Sequence, residues 1–176
     1  MLNRWWKTGV AVVAIMATVA GYRWWASDER AIAAQLSTIA TTLSGTTGSD
    51  GFGALARMAA LRKALAPDIH VSAGPAPAEA GLGTGRPLEV AGRDQALALV
   101  SRWTPPPGGM TVAFIDEHIT VAEDRTHGQV YCTATITSRA ARGEPNIDAR
   151  ELTIGLTKID GGWVVQSVQA EDTLTR

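Results

Sequence analysis

The sequence predicts an α+β domain that follows a single transmembrane helix. Three observations lead to this fold class: an uncharged apolar run near the N-terminus, helical spacing of apolar residues in the part that follows, and period-two alternation in the last third. Strands that come after the helices, instead of alternating with them, indicate an α+β arrangement and not a doubly wound parallel sheet. We expect an anchor over residues 1–27 and one domain over residues 28–176.

The predicted transmembrane helix covers residues 5–25. Its centre is an uncharged run of 15 residues, Thr8–Tyr22, framed by aromatic and basic side chains. Such framing is typical of the two lipid–water interfaces. The 21 residues from Trp5 to Trp25 measure about 31 Å as a helix, enough to cross the hydrocarbon core. The interface residues that we expect are Trp5, Trp6, Lys7, Tyr22, Arg23, Trp24 and Trp25.

The alternative interpretation of this segment is a cleaved secretory signal peptide. Arg4 and Lys7 would form its basic start, Val10–Ala20 its apolar centre, and residues 18–20 its cleavage site. The Trp24-Trp25 pair lies beyond that cut, where a cleaved peptide has no use for it, and this favours an anchor. The basic cluster before the run favours an N-terminus inside the cell. We therefore expect a single-pass protein of a bacterial inner membrane, in contact with lipid, with a periplasmic C-terminal domain.

Charge argues against nucleic acid as a partner. The whole chain carries −1, and its first 27 residues hold three bases and no acid, which leaves −4 on the remainder. Such a domain has no basic excess with which to displace the counterions of a phosphate backbone. The single cysteine, Cys132, excludes an internal disulfide, and His70, His118 and His127 are scattered without metal-ligand spacing. We expect neither a metal nor a cofactor.

Three helices are predicted before the strands. Apolar residues recur at helical spacing in each: Ile32, Leu36, Ile39 and Leu43; then Leu55, Met58, Leu61 and Leu65; then Leu97, Val100 and Trp103. Ser27 and Asp28 offer an N-cap and an acid for the first helix, and Pro67 should end the second. A short strand is expected at residues 69–71, followed by a loop over Ser72–Gly85 that is rich in Gly, Ala and Pro.

Four consecutive strands then form the predicted antiparallel meander, over residues 110–123, 129–139, 148–159 and 163–172. The second strand alternates cleanly, with Val130, Cys132, Ala134 and Ile136 on one side. The third strand places Leu152, Ile154 and Leu156 together, and these should join Trp163 in the core. In the first strand the apolar residues have even numbers up to Phe114 and odd numbers from Ile119. This change of phase predicts a β-bulge between Ile115 and His118.

Five segments carry a resemblance to a known superfamily: Leu65–Val71, Gly92–Ala96, Val112–Asp116, Ala149–Ile154 and Lys158–Val165. Their order and spacing resemble nuclear-transport-factor-like domains, also called SnoaL-like or ketosteroid-isomerase-like. The resemblance covers roughly residues 28–174. It implies three helices packed on a curved antiparallel sheet that closes into a cone with an internal cavity. Because this fold hosts enzymes, carriers, scaffolds and secretion components, the resemblance does not imply an activity.

Catalysis in this superfamily would need a carboxylate base in an apolar cavity and a donor for an oxyanion. The acids near plausible cavity strands are Asp68, Asp116 and Asp148, and the donors are His70, His118 and Tyr131. Asp68, Asp116 and His118 are the catalytic candidates. The competing interpretation is structural: Asp68 begins a turn, and a bulge can direct Asp116 and His118 to solvent.

The threonine-rich side of the strands is the second candidate site. It consists of Tyr131, Thr133, Thr135 and Thr137 on one strand with Thr153 and Thr157 on the next. Two interpretations explain these threonines equally well: a sheet face that contacts solvent, or a face that docks a second copy or another subunit. We predict a non-catalytic accessory or assembly subunit of a larger membrane complex, whether secretion, respiratory or photosynthetic, that acts through protein–protein contacts. The alternative is a small-ligand-binding protein or isomerase with an apolar cavity.

Overall fold

The computed structural model describes residues 27–45, 51–74, 88–102, 106, 108–139 and 144–171. Helix α1 covers residues 27–43 of this part. The remaining elements are α2 (Gly51–Ala64), β1 (Leu65–Ala73), β2 (Leu88–Ala91), α3 (Arg93–Arg102), β3 (Met110–Val121), β4 (His127–Arg139), β5 (Pro145–Ile159) and β6 (Gly162–Glu171). Three helices on one sheet confirm the predicted α+β class.

One six-stranded sheet carries the strands in the order β2-β1-β6-β5-β4-β3. Strands β3 to β6 form the predicted antiparallel meander. The prediction of a purely antiparallel sheet was wrong, because β1 pairs with β6 in parallel and the sheet is mixed. A parallel pair needs a long connection between its strands, and here all of β2 to β5 lies between them.

The region around Pro67 differs from the prediction in its secondary structure. Helix α2 ends at Ala64, and Pro67 lies inside β1, which is nine residues long instead of three. The register between β1 and β6 shifts between Leu65 and His70, as expected where proline offers no N–H to the ladder. Strand β2, which the sequence analysis missed, pairs antiparallel with β1 through only four residues.

The predicted β-bulge is present on β3. Ile115 is paired with Thr133 and His118 with Tyr131, so that Asp116 and Glu117 together oppose the single residue Cys132. Asp116 has φ +55°, a left-handed conformation that shifts the phase of the strand. Because of this shift, Val112 and Val121 are both buried although their numbers differ in parity.

The core lies between α1 and the inner face of the sheet, which we define as the side that carries Val130 and Ile154. In α1, Ile32 and Leu36 are fully buried and Ile39 nearly so, which confirms the predicted helical face. The helix approaches the sheet closely at Gly128, where a β-carbon would stand 2.9 Å from Cδ1 of Ile32. The buried core cluster also contains Val130, Cys132, Ile154, Leu156, Trp163 and Val165.

Helix α2 is buried on a smaller face than its sequence predicts. Leu61 and Ala64 are buried, but Leu55 is 69% exposed and Phe52 is 86% exposed. The prediction that Leu55 faces the core was wrong. Leucine and alanine occur all around this helix, so apolar spacing alone does not fix which face meets the sheet.

The predicted anchor at residues 5–25 lies outside the described residues, as do its seven interface side chains. No helix in the described ranges has the length and apolar character needed to span a membrane.

Candidate functional site

The outer face of the sheet, on the side away from α1, carries the row of threonines. Tyr131 is 48% exposed, and Thr133, Thr135, Thr137, Thr153 and Thr157 are half-buried. The ladder places Tyr131 directly opposite Thr153, and Thr157 opposite His127 at the end of β4. These side chains therefore lie together on one face, as their alternation predicts, and their role as a docking face stays a prediction.

A hollow of about 250 Å³ interrupts this outer face. Its lining residues are Asp116, Tyr131, Cys132, Thr133, Glu151, Leu152 and Thr153. The carboxylates come from both neighbours of β4, since Asp116 lies on the β3 bulge and Glu151 is opposite Thr133 on β5. Neither carboxylate forms an ion pair or hydrogen bond within the described part of the chain. The hollow thus has two acidic side chains at its rim beside the apolar groups of Tyr131 and Leu152.

The catalytic candidates are not brought together. Asp68 is exposed on β1 and accepts a hydrogen bond of 3.4 Å from Nε2 of Gln166. Strands β6, β5 and β4 separate it from Asp116 on β3, a distance of about 19 Å at ~4.8 Å per strand. His118 is two residues after Asp116, at the first regular pair beyond the bulge, and both side chains are exposed.

The remaining polar candidates are also at the surface. His70 is exposed on β1, and the exposed Asp148 accepts a hydrogen bond of 3.3 Å from Nε of Arg150. Within the described ranges, no group of three His, Cys, Asp or Glu side chains is placed to hold a metal ion.

Glu117, which was not among the catalytic candidates, has a raised pKa. Partial burial raises the pKa of its carboxyl group above the ordinary value. It shares the bulge opposite Cys132, and burial, followed by the charge of Glu117, raises the pKa of the Cys132 thiol to about 11. The predicted bulge was the available signal, because it places both Asp116 and Glu117 opposite Cys132.

A buried ionic cluster was missed altogether. Asp28, only 6% exposed, accepts hydrogen bonds from Nζ of Lys158 at 2.9 Å, from Nε1 of Trp163 at 3.3 Å and from the guanidinium of Arg125. The Lys158 ammonium also lies 5.1 Å from the centre of the Trp163 ring. The cluster therefore joins the start of the described part of α1 to the β3–β4 turn and to the β5–β6 hairpin.

The electrostatics of Asp28 favour its ionised form. Burial is the largest single influence and by itself raises the pKa of Asp28, but the hydrogen bonds from Lys158, Arg125 and Trp163 together outweigh it. The net effect lowers the pKa below 3.8. Three donors on one buried carboxylate are typical of a fixed structural contact, and this cluster offers no open position for a ligand.

Comparison with solved structures identifies the fold. An NTF2-like (nuclear-transport-factor-like) protein with a cystatin-like fold from Novosphingobium aromaticivorans is 12% identical, with a TM-score of 0.67 and 91% of each chain covered. The fold is nuclear-transport-factor-like. A proposed scytalone dehydratase from the same organism is 14% identical, with a TM-score of 0.57 and 89% of each chain covered.

A third solved structure, ActVI-ORFA from Streptomyces coelicolor, is 12% identical with a TM-score of 0.52, over 84% of this chain and 96% of that one. The sequence matches no family model and no curated protein sequence. Likeness at 11–14% identity shows the cone fold with its curved mixed sheet, and it shows nothing of activity.

Proposed function

We propose that this chain is a non-catalytic accessory or assembly subunit of a larger membrane complex and that its domain acts by docking through the outer sheet face. The observation that carries the proposal is the contrast between the two sides of β4. On the inner side Val130, Cys132 and Ala134 are buried in the core, whereas on the outer side Tyr131 is half exposed among threonines. A polar but aromatic face of this kind suits a protein partner.

The anchor forms the second part of the proposal. Residues 5–25 hold the protein in a bacterial inner membrane and residues 28–176 extend on the periplasmic side. The domain begins within a few residues of Trp25, and this short tether restricts its orientation. Part of the ordering cost of docking is therefore met before contact, which favours lateral assembly with neighbouring membrane subunits.

The test of docking is copurification from native membranes. Thr135→Arg and Thr153→Glu, each introduced separately, place a charge on the outer face and should reduce the recovered partners. Ala98→Arg is the matched control, because Ala98 is exposed on α3 and lies on the helical side. If both outer-face variants recover partners as well as the wild type does, the docking proposal fails. The test of the anchor is the mass of the mature protein. A mass that corresponds to a chain starting near Gly21 would contradict the anchor.

A second candidate function, ligand binding or isomerase-like catalysis, is favoured by one observation. Glu117 has a raised pKa beside the buried Cys132, and a carboxyl with a raised pKa is what proton abstraction at neutral pH needs. Titration of the protein with small apolar ketones or phenols tests this alternative. Saturable binding that Glu117→Gln abolishes, and that Thr135→Arg leaves intact, would favour it over the docking proposal.

A further inference from the structure

We propose that the helical side of the domain, which carries α1 to α3, rests on the surface of the membrane, and that α2 inserts Phe52 and Leu55 among anionic lipid headgroups. The inference rests on the anchor in the proposed function and adds a second, separate contact with lipid. The exposed face of α2, the charges of the three helices and the position of α2 relative to the predicted anchor support this contact.

Helix α2 is apolar on all sides, but only one side is covered. Leu61 and Ala64 are buried against the rest of the domain. On the opposite side Phe52 is 86% exposed and Leu55 is 69% exposed. With the exposed Ala59 they recur every three or four residues and form one apolar stripe along the helix. Because a helix that is apolar all round is normally covered all round, this stripe lacks a neighbour within the described part of the chain.

Basic side chains extend the apolar stripe at the end of α2. Lys63 lies one turn beyond Ala59 and is exposed, as is Arg102 at the end of the neighbouring α3. Within the described ranges neither Lys63 nor Arg102 forms an ion pair. Arg62 is also exposed, but it pairs with Asp94 at 3.1 Å. Apolar side chains beside basic ones are typical of a helix that lies in the interface between lipid and water.

The two sides of the domain differ in charge. The three helices hold six basic and three acidic residues, a formal charge of +3. The strands and turns of the described ranges hold four basic and eleven acidic residues, a formal charge of −7. An anionic surface therefore attracts the helical side and repels the sheet side, which orients the domain before contact.

The end of α2 lies near the place where the predicted anchor meets the domain. Asp28 is three residues after Trp25 and accepts a hydrogen bond from Trp163. Leu65, which directly follows α2, is paired with Val165 on β6, so its backbone is within about 12 Å of that of Trp163. With residues 5–25 in the membrane, so short a tether holds the last turn of α2 close to the headgroups.

A protein helix is the competing occupant of the apolar stripe. Charge favours lipid instead, because α2 contains three basic residues and no acidic one, and lysine is depleted at the centre of protein interfaces. A phospholipid surface presents phosphate groups over its whole area and needs no matching pattern of acids and bases. Contact there leaves the outer sheet face uncovered for the protein docking proposed above, since Ala64 of α2 belongs to the core on the inner side.

The test uses the full chain reconstituted in lipid vesicles, with a fluorophore attached at Ala59→Cys. Lipids that carry a quencher on the headgroup report how close the label is to the membrane surface. In vesicles that contain phosphatidylglycerol, quenching should be strong at Ala59→Cys and weak at Thr135→Cys on the outer face. In vesicles of phosphatidylcholine alone, the label at Ala59→Cys should be quenched less. Cys132 is buried and does not compete for the fluorophore.

Two pairs of variants identify the side chains in contact. Lys63→Glu should weaken the docked state at least about 5-fold, the factor that one basic residue contributes near an anionic surface. Its matched control is Arg139→Glu, at an exposed base on the sheet side. Phe52→Ser should also weaken docking, whereas Ile147→Ser, at an apolar residue that is 64% exposed on β5, should not. Quenching at a series of phosphatidylglycerol contents measures the shift.

Salt gives a measurement that needs no charge variant. Raising the salt concentration screens exposed charges, so it should reduce quenching at Ala59→Cys in phosphatidylglycerol vesicles. Equal quenching at Ala59→Cys and Thr135→Cys would overturn the lipid contact. Quenching that neither Lys63→Glu nor Phe52→Ser reduces would overturn it as well.

Flotation of the vesicles separates the lipid contact from the anchor. Protein that stays with the vesicles in high salt, with both labels equally quenched, keeps the anchor and loses the contact. Protein that floats only with phosphatidylglycerol vesicles and is released by salt keeps the contact and loses the anchor. Protein that floats with neither kind of vesicle contradicts both.

Discussion

The Asp28 carboxylate and the Lys158 ammonium lie 2.9 Å apart, although 130 residues separate them in the chain. Asp28 is near the start of the described part of α1, and Lys158 is near the end of β5. Their contact ties this part of α1 to the sheet. Because Arg125 and Trp163 also bind this carboxylate, any change at Asp28 affects three elements together.

Asp28→Asn is expected to lower the free energy of unfolding by about 2–4 kcal/mol. The change keeps the shape of the side chain but leaves Arg125 and Lys158 close together without a counter-charge, which is costly for a buried pair. The two bases are 17% and 29% exposed, so water relieves part of the penalty. Denaturant unfolding of the full chain, followed by circular dichroism, measures the loss.

The control for this variant is Asp94→Asn. Asp94 pairs with Arg62 at 3.1 Å, but the two side chains are 83% and 60% exposed, and an exposed pair contributes ~0–1 kcal/mol. A similar loss in the two variants would mean that burial of the Asp28 cluster contributes nothing.

Stability should fall in acid because of the same carboxylate. The folded-state pKa of Asp28 is lower than its ordinary value of 3.8, so its stabilising contribution is present above that value and is lost as the pH falls through the folded-state pKa. The exposed Asp124 acts in the same direction, since hydrogen bonds from Thr126 lower its pKa to about 2.

Unfolding measured at several values between pH 6 and pH 2 checks this expectation. Below pH 4 the wild type should lose stability more steeply than Asp28→Asn. Asp124→Asn should independently reduce the dependence of the unfolding free energy on pH. Parallel curves for the wild type and Asp28→Asn would contradict the assignment of the acid sensitivity to Asp28.

The strands were predictable from the sequence because apolar residues of the inner face alternate with polar residues of the outer face. Alternation placed Ile154 inside and Tyr131 outside, and its interruption located the bulge at Ile115 to His118. Helix α2 was located, but its buried face was predicted wrongly, and the short strand β2 was not predicted. In α2 apolar residues occur all around the helix and define no single face, and β2 has only four residues, too few to show a period.

The candidate site was predictable only in part. The outer row of threonines follows from alternation along one strand. The hollow needs Asp116 and Glu151 on two different strands, so it depends on the register and on the φ of Asp116. The Asp28 cluster depends on three separate elements meeting, which no local pattern encodes.

Gly128→Ala should destabilise the domain by about 1–3 kcal/mol, the usual cost of overpacking a core. The new methyl group would stand 2.9 Å from Cδ1 of Ile32 and 3.5 Å from Cζ3 of Trp163. Ile32→Val removes that Cδ1 atom, so the double variant should lose less than the sum of the two single losses. A double-mutant cycle of unfolding free energies measures this coupling. Strict additivity would show that contact with Cδ1 of Ile32 is not the cause of the loss in Gly128→Ala.

Ile154→Ala tests which face of β5 is in the core. Ile154 is 3% exposed and packs in the cluster with Val130 and Trp163, so the truncation leaves a cavity and should cost about 2–5 kcal/mol. Ile147 is the matched control on the same strand: it is 64% exposed, and Ile147→Ala should change stability by less than about 0.5 kcal/mol. Both variants are compared with the wild type by denaturant unfolding of the full chain. Equal losses would mean that the two residues share one environment, and the assignment of inner and outer faces along β5, on which the docking surface depends, would be wrong.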